Sequence, residues 1–484
     1  MRGTRRPIAA TLAGIGIIAI LIRWRYLHGM MRIDESYTFL AYVCAPWWDA
    51  LSVYSTTNNH VLHTILAKLS VTAFGSAPWA IRLPAFLAGL AIVPLTYLLA
   101  RELYGAATAL LASALVACSP ILILYSVNAR GYTLVVAAFL ASTALGAYAL
   151  RRASRPAWIG FAVVSALGCY AIPIMLYPLG ATVLWLALSA WIGAEPAERR
   201  PALQSLGAAC ALTAALCLVF YSPVLVRSGL RELLANPWVT PSPWPRFVAV
   251  LPISAGRLWR HLTAGESPVV VGVAAIGLVA GVLPARGDAR WPVPLLLPAL
   301  LWCAALVIAM HRMPFLRVGI FLVPVVYLTI AGGLVRLGRW VPKGWHIKPA
   351  LAGALVVSLT LVGAIRVAGS DAVTSCAEAG CNPDAKLIST ALAPALQPGD
   401  GIIGKDWDDS PVRYYLGFRD GVNLARLDPP QAQARRFFVM VRTNTGFDST
   451  LFARILPGFV NRTLVGNFPA TTLYLLRRAA PGPG

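Results

Sequence analysis

Long apolar runs separated by short basic loops constrain this chain more than any other feature it has. Stretches of about 15 to 22 residues with scarcely a charge recur along most of its length, as helices that cross a bilayer require. Candidate spans cover 8–22, 79–100, 106–122, 132–150, 158–170, 173–192, 203–226, 269–283, 293–310, 315–334 and 350–365. That makes about eleven spans, within a range of about ten to thirteen. Composition agrees with a membrane class: 58% of residues are hydrophobic and 12% charged. A mean hydropathy of +0.68 lies far above that of a soluble domain.

The net charge of +22 raises the possibility of a nucleic-acid partner. The arginines, however, sit in small clusters between apolar runs, not on one soluble face, so they read as topology signals against an anionic leaflet. No nucleic-acid partner is expected. With a cytoplasmic N-terminus, the inner loops carry Arg101; Arg151, Arg152 and Arg155; Arg199 and Arg200; Arg286 and Arg290; and Arg336, Arg339, Lys343 and Lys348. The segment 28–78, the turn at Asn128-Ala129-Arg130, the segment 227–268, the turn at His311-Arg312 and the C-terminal tail then face outward. The scheme needs Val61–Gly75 to lie along the interface instead of crossing, which Lys68, His60 and His63 favour. Arg23, Arg25 and Arg32 are exceptions to the charge rule. The first run follows Arg2, Arg5 and Arg6 as a signal peptide would, but Arg23-Trp24-Arg25 replaces a cleavage site, so it reads as a retained span. The expected location is the plasma or inner membrane.

From about Val367 onward the composition changes to that of a soluble domain. A helix over 385–396, a strand over 401–405, a helix from 410 to 416 and strands over 436–442 and 471–476 predict a small α/β domain. The domain organisation expected is therefore a transmembrane module over 1–366, with a first outer loop at 28–78, and an extracytoplasmic α/β domain over 367–484. Six of the eight cysteines lie in or beside the membrane section, where a thiol behaves as a small apolar residue. Cys376 and Cys381 stand alone in the tail, and a local disulfide in an oxidising compartment is the leading reading of that pair.

Asp34-Glu35 is the feature most suggestive of chemistry. The pair lies in Arg32-Ile33-Asp34-Glu35-Ser36-Tyr37, just past the first span, ahead of Asn58-Asn59-His60-Val61-Leu62-His63. Ionised carboxylates beside a membrane helix are costly and seldom idle. The competing reading is simple ion pairing with Arg32 or Arg25.

The order of these pieces resembles the membrane glycosyltransferases of the GT-C fold, and within them the branch of the protein O-mannosyltransferases and the aminoarabinose transferase of lipid A (glycosyltransferase family 39-like). The resemblance rests on Asp34-Glu35, an interfacial helix opened by Asn59-His60 and running past Lys68, and Arg82-Leu83-Pro84. Three later stretches fit the same order: Ser126–Tyr132, where the family usually has Glu in place of Asn128; His311–Arg317; and Asp409–Leu416.

The resemblance implies transfer of a sugar from a polyprenyl-phosphate-linked donor to an acceptor on the outer face. The acceptor is a lipid, a polysaccharide or a protein. Asp34 matches the family's catalytic carboxylate and would sharpen the acceptor's attack as a base or hydrogen-bond acceptor. Glu35 either orients Asp34 or binds the acceptor. The leaving phosphate calls for cations, and arginine's fork suits its oxygens. Arg130 and Arg317 are the first candidates, with Arg82 and Lys68 behind them; His60, Asn59, His63 and Tyr132 complete the candidate substrate-binding set. No metal site is assigned, although Asp34, Glu35, His60 and His63 together offer ligand types a divalent ion accepts. The segment 231–260, with Trp238, Trp244 and Trp259, reads as an outer loop able to order over the donor, or as an aromatic anchor. The rival class is a lipid-linked glycan transporter or flippase. It would be expected to carry ionisable groups or broken helices at the bilayer midplane, and these runs carry almost no charge.

Overall fold

The computed structural model describes residues 5–234, 239–263, 267–283, 291–339, 348–376, 380–428, 433–443 and 456–478. Arg2, Arg286, Arg290, Lys343 and Trp238, singled out above, lie outside the described residues. Helices follow one another almost without interruption. The first stretch holds α1 (Arg5–Leu27), α2 (Ile33–Thr38), α3 (Trp47–Ser52), α4 (Val61–Phe74) and α5 (Pro78–Tyr104). Next come α6 (Ala106–Ala117), α7 (Pro120–Ser126), α8 (Tyr132–Arg152), α9 (Arg155–Ala171), α10 (Leu176–Gly193) and α11 (Pro196–Arg227). After α12 (Gly229–Leu234) and α13 (Trp244–Thr263) the chain forms α14 (Pro268–Val282), α15 (Leu296–Met310), α16 (Leu322–Gly338) and α17 (Pro349–Ala368). Two compact units emerge. One comprises Met1–Leu27, Trp47–Ser70 and Arg82–Thr374; the other comprises His28–Pro46, Val71–Ile81 and Ser375–Gly484.

In the first unit, every apolar run expected to span is helical. Seven of the described helices are long and apolar enough to cross a membrane, and the bent pair α6–α7 makes an eighth if it is one span. Two of the remaining three runs fall short in length. Helices α14 and α15 have 15 residues each, about 22 Å of rise against a hydrocarbon core of about 30 Å. The third, α9, has 17 residues.

Packing within this unit explains some otherwise unfavourable residues. Gly277 and Gly281 on α14 face Gly333 on α16; a Cβ at Gly277 would come within 3.0 Å of the Ile330 carbonyl oxygen. Backbones can approach this closely only through small residues, as in helix pairs that lack a hydrophobic driving force between them. The 63° break between α6 and α7 falls at Ser119-Pro120, since proline cannot supply the amide that a continuing helix needs. Arg23, fully buried on α1, serves this break. Its guanidinium donates to the Ala117 carbonyl at 3.0 Å and its Nε to Ser126 Oγ at 3.1 Å. A helix end buried away from water must find partners of this kind. The arginine that defied the charge rule is thus an interior cap.

The second unit holds α18 (Ala385–Leu392), α19 (Ser410–Phe418) and a four-stranded sheet of β1 (Gly401–Gly404), β2 (Arg436–Arg442), β3 (Phe459–Asn467) and β4 (Thr471–Arg478). The strand order is β1-β2-β4-β3, with β1 parallel to β2 and the other pairs antiparallel. Central β2 reads Arg-Phe-Phe-Val-Met-Val-Arg and buries its five apolar residues, as a strand covered on both faces does. Arg436 grips Asp400 through two nitrogens, and Arg442 grips Asp408 in the same bidentate way at 2.8 Å for each contact. Helix α2 packs against α19 within this unit.

Candidate functional site

In the first unit a polar cluster forms where the loop before α4 meets the turn before α8. Ser228 Oγ, just after α11, donates to the Ser52 carbonyl at 2.9 Å and accepts from the Tyr54 amide at 3.0 Å. Tyr54, Val61, Tyr170, Tyr221 and Val224 form the apolar footing beneath. Asn59 completes the scaffold. Its amide donates to the Ala50 and Val53 carbonyls at 3.2 and 2.7 Å, and its Oδ1 accepts from Thr64 Oγ1 at 2.9 Å. Both ends of the Asn59 side chain are therefore engaged by protein, tying α3 to the first turn of α4.

His60 and Arg130 meet above this footing, both 2% exposed. Arg130 Nη1 donates to the Asn58 carbonyl at 3.2 Å and Nη2 to Asn58 Oδ1 at 2.9 Å. His60 Nδ1 accepts the Gly131 amide hydrogen at 2.9 Å, while its Nε2 lies 3.2 Å from Arg130 Nη2. A backbone amide can only donate, so Nδ1 is unprotonated and the neutral ring carries its hydrogen on Nε2. A guanidinium nitrogen also only donates. Two N–H donors thus converge on one point, an arrangement relieved by an anionic oxygen that accepts from both.

Burial, followed by the charges of Arg130, His63 and Arg317, holds the His60 pKa well below the usual histidine value. The Arg317 charge therefore acts on the same cluster; its guanidinium lies 4.4 Å from the Phe315 ring centroid. Tyr132 meets His60 edge-on at 5.3 Å and Tyr125 at 4.8 Å. His63 is fully buried with neither ring nitrogen hydrogen-bonded, and its pKa falls to about 3, through burial first and Arg130 second. Asn128 Oδ1 is likewise buried without a partner. Sequence reasoning placed Asn58 and Gly131 in no role. Asn58 orients Arg130, and Gly131 has room only for hydrogen, since a Cβ would meet His60 Cβ, Ile172 and the Ala171 carbonyl at 3.1 to 3.3 Å. Arg82, 1% exposed, donates Nη1 to the Leu27 carbonyl at 2.9 Å and so caps α1.

The histidines carry a pH prediction. Because their folded pKa values lie below the unfolded value, stability is full above about pH 6.5 and declines as pH falls from there toward the folded values, where only the unfolded chain takes up the protons. The thermal midpoint in one detergent should fall between pH 7.5 and pH 5. His63→Leu should flatten that fall at little cost at pH 7.5, because it removes buried nitrogens that bond to nothing. An unchanged pH profile in His63→Leu would show that His63 does not set it.

The second unit carries the acidic pair. Asp34 and Glu35 occupy the first turn of α2, where the exposed amides and helix dipole favour carboxylates. Glu35 is fully buried, and its Oε1 accepts from the Arg32 amide at 2.7 Å, so it closes the helix start. Asp34 is half-buried. Tyr37, three residues on and so on the same side of α2, stacks on Trp407 with 4.5 Å between centroids. Trp407 has φ of +65°, a strained conformation for a bulky residue. The segment Phe39–Val43 continues α2 as a π-turn, a feature often met at functional sites. Cys376 and Cys381 are joined by a disulfide. Among the described residues no three His, Cys, Asp or Glu side chains gather in a way that could hold a metal ion.

Comparison with known proteins bears on the fold. Superposition on ArnT from Cupriavidus metallidurans gives a TM-score of 0.61 at 15% identity, covering 95% of this chain and 97% of that one. The chain has the GT-C fold. The same neighbour bound to undecaprenyl phosphate matches with a TM-score of 0.61 at 14% identity, again covering 95% and 97%. An oligosaccharyltransferase of Archaeoglobus fulgidus gives a TM-score of 0.52 at 12% identity over 90% of this chain and 69% of its own. The arabinofuranosyltransferase AftD from Mycobacteria gives a TM-score of 0.51 at 15% identity and covers 99% of this chain, which spans 40% of it. The family model for dolichyl-phosphate-mannose-protein mannosyltransferase matches residues 60–227, the stretch that holds His60 and Arg130 but neither Asp34 nor Arg317. No curated protein matches the chain by sequence.

Proposed function

We propose that this GT-C protein is a glycosyltransferase that moves a sugar from a polyprenyl-phosphate carrier to an acceptor on the outer face of the plasma or inner membrane. One observation carries the reading: His60 Nε2–H and Arg130 Nη2–H converge 3.2 Å apart inside a buried, cationic cluster that Arg317 reinforces. A phosphate oxygen can accept from both donors, and fixed positive groups stabilise the charge that develops on a departing phosphate. A structural neighbour bound to undecaprenyl phosphate lends support to a lipid carrier.

The acceptor hydroxyl or amine must lose a proton as it attacks the sugar's anomeric carbon. Asp34 is the residue we assign to that proton, because it is a half-buried carboxylate in the first turn of a short helix and matches the family's catalytic acid in order. Glu35 is given a supporting part, since its oxygen is committed to the Arg32 amide. Tyr132 is assigned to the phosphate site through its edge-on contact with His60, and His63 is a fully buried neighbour in the same stretch of chain.

The test is chemical. The purified protein, incubated with sugar-linked undecaprenyl phosphates and a mixture of envelope acceptors, should release free undecaprenyl phosphate in step with acceptor labelling. Lipid that crosses vesicle leaflets with its sugar–phosphate bond intact would instead identify a flippase.

A further inference from the structure

The helix that bears Asp34 is held by the disulfide-closed turn. Arg32 Nη1 donates to the Ser375 carbonyl at 2.9 Å, one residue before Cys376. The Ile33 amide, next to Asp34, donates to the Gly380 carbonyl at 3.4 Å, one residue before Cys381. Gly380 takes φ of +57°, and a Cβ there would touch Ile33 at 3.4 Å, so the Gly380 backbone lies directly against Ile33. The far side of the turn is tied to the sheet. Arg442 Nη2 donates to the Cys381 carbonyl at 3.2 Å while gripping Asp408, and Asn382 Nδ2 donates to the Asp408 carbonyl at 3.1 Å. Asp408 follows Trp407, on which Tyr37 of α2 stacks. Both carbonyls that receive α2 therefore flank the two cysteines, and both anchors lead back to one rigid sheet.

We propose that the Cys376–Cys381 disulfide is a positioning element for Asp34: by closing the turn it fixes the Ser375 and Gly380 carbonyls that hold Arg32 and Ile33. This rests on the reading of Asp34 as the acceptor-activating carboxylate. Opening the bond takes two electrons and two protons from a dithiol, which leaves two cysteine thiols and the reductant as its own cyclic disulfide. The two carbonyls then lose their fixed separation, and the first turn of α2 loses two of its anchors. Small displacements matter here, since misplacing a reacting group by about 1 Å can cost about 100-fold in rate.

The test uses the full chain in detergent, as wild type, as wild type treated with dithiothreitol, and as Cys376→Ala/Cys381→Ala. Amide hydrogen exchange over 31–38 should quicken at least tenfold on reduction and in the double variant, with exchange in α8 and α9 unchanged. Transfer turnover should fall about tenfold while the KM for the lipid donor stays within twofold, and reoxidation of the reduced wild type should restore it. Unchanged exchange over 31–38 in both open forms overturns the proposal whatever the activity. Faster exchange with undiminished turnover overturns it too, because the turn would then brace the helix to no functional end. Asp34→Asn in parallel separates the two readings: full turnover in that variant removes Asp34 from the chemistry, whereas the exchange data still report on the brace.

Discussion

Arg130→Met should weaken binding of undecaprenyl phosphate about 100-fold, the scale of a lost charge-assisted contact to a phosphate oxygen in a buried setting. Methionine keeps the length and apolar stem of the side chain and deletes the charge and the fork. Arg130→Lys retains a cation without the planar fork, so it should recover part of the affinity, to within about tenfold of wild type. Arg130 also orients the loop through Asn58, and Asn58→Ala separates that scaffold role from direct binding. It disturbs the loop while leaving the cation, and its loss should stay below about tenfold. Binding is read by displacement of a labelled polyprenyl phosphate, with thermal unfolding alongside. An Arg130→Met protein that is folded and binds like wild type would move the phosphate elsewhere, and Arg317 would be examined next.

Asp34→Asn should lower turnover by about 1,000-fold, within the range of about 100- to 10,000-fold that a positioned general base contributes. Asparagine preserves size and hydrogen-bonding geometry but cannot take the acceptor's proton. Lipid binding should stay within twofold. Its neighbour supplies the contrast. Glu35 accepts the Arg32 backbone amide, and glutamine can accept the same bond, so Glu35→Gln should retain turnover within about fivefold and lose mainly stability. Comparable losses in the two variants would mean that the helix start, and not a particular carboxylate, is what the substitutions disturb.

The helices and the polar cluster were legible in the sequence to different degrees, for physical reasons. Each apolar run from 8–22 to 350–365 announced a helix because the bilayer imposes length and composition locally. The strands at 436–442 and 471–476 were visible as apolar runs because burial in the sheet also marks the sequence locally. Strand β3 was not, because Phe459–Asn467 mixes Asn, Arg, Thr and Gly in the manner of an exposed edge. His60 and Arg130 could be picked by residue type, yet their donor-against-donor meeting depends on Gly131 and Asn58, whose roles are made by backbone atoms that carry no side-chain signature. Arg82 and Asn59, picked by residue type, donate to backbone carbonyls of α1 and α3, contacts that no local pattern reveals. The link between Arg32 and Ser375 joins positions 343 residues apart, a distance over which no local pattern can speak. Cys376 and Cys381, five apart, could be paired because they stand alone in a tail expected to face an oxidising compartment.

The most direct measurement of the central claim is transfer of a radiolabelled sugar from sugar-linked undecaprenyl phosphate by purified wild type and Asp34→Asn, run in the same detergent with donor binding recorded for both. The account predicts that label reaches the acceptor with wild type and that Asp34→Asn, binding donor equally, transfers about a thousandth as much. Equal transfer by the two proteins would contradict it.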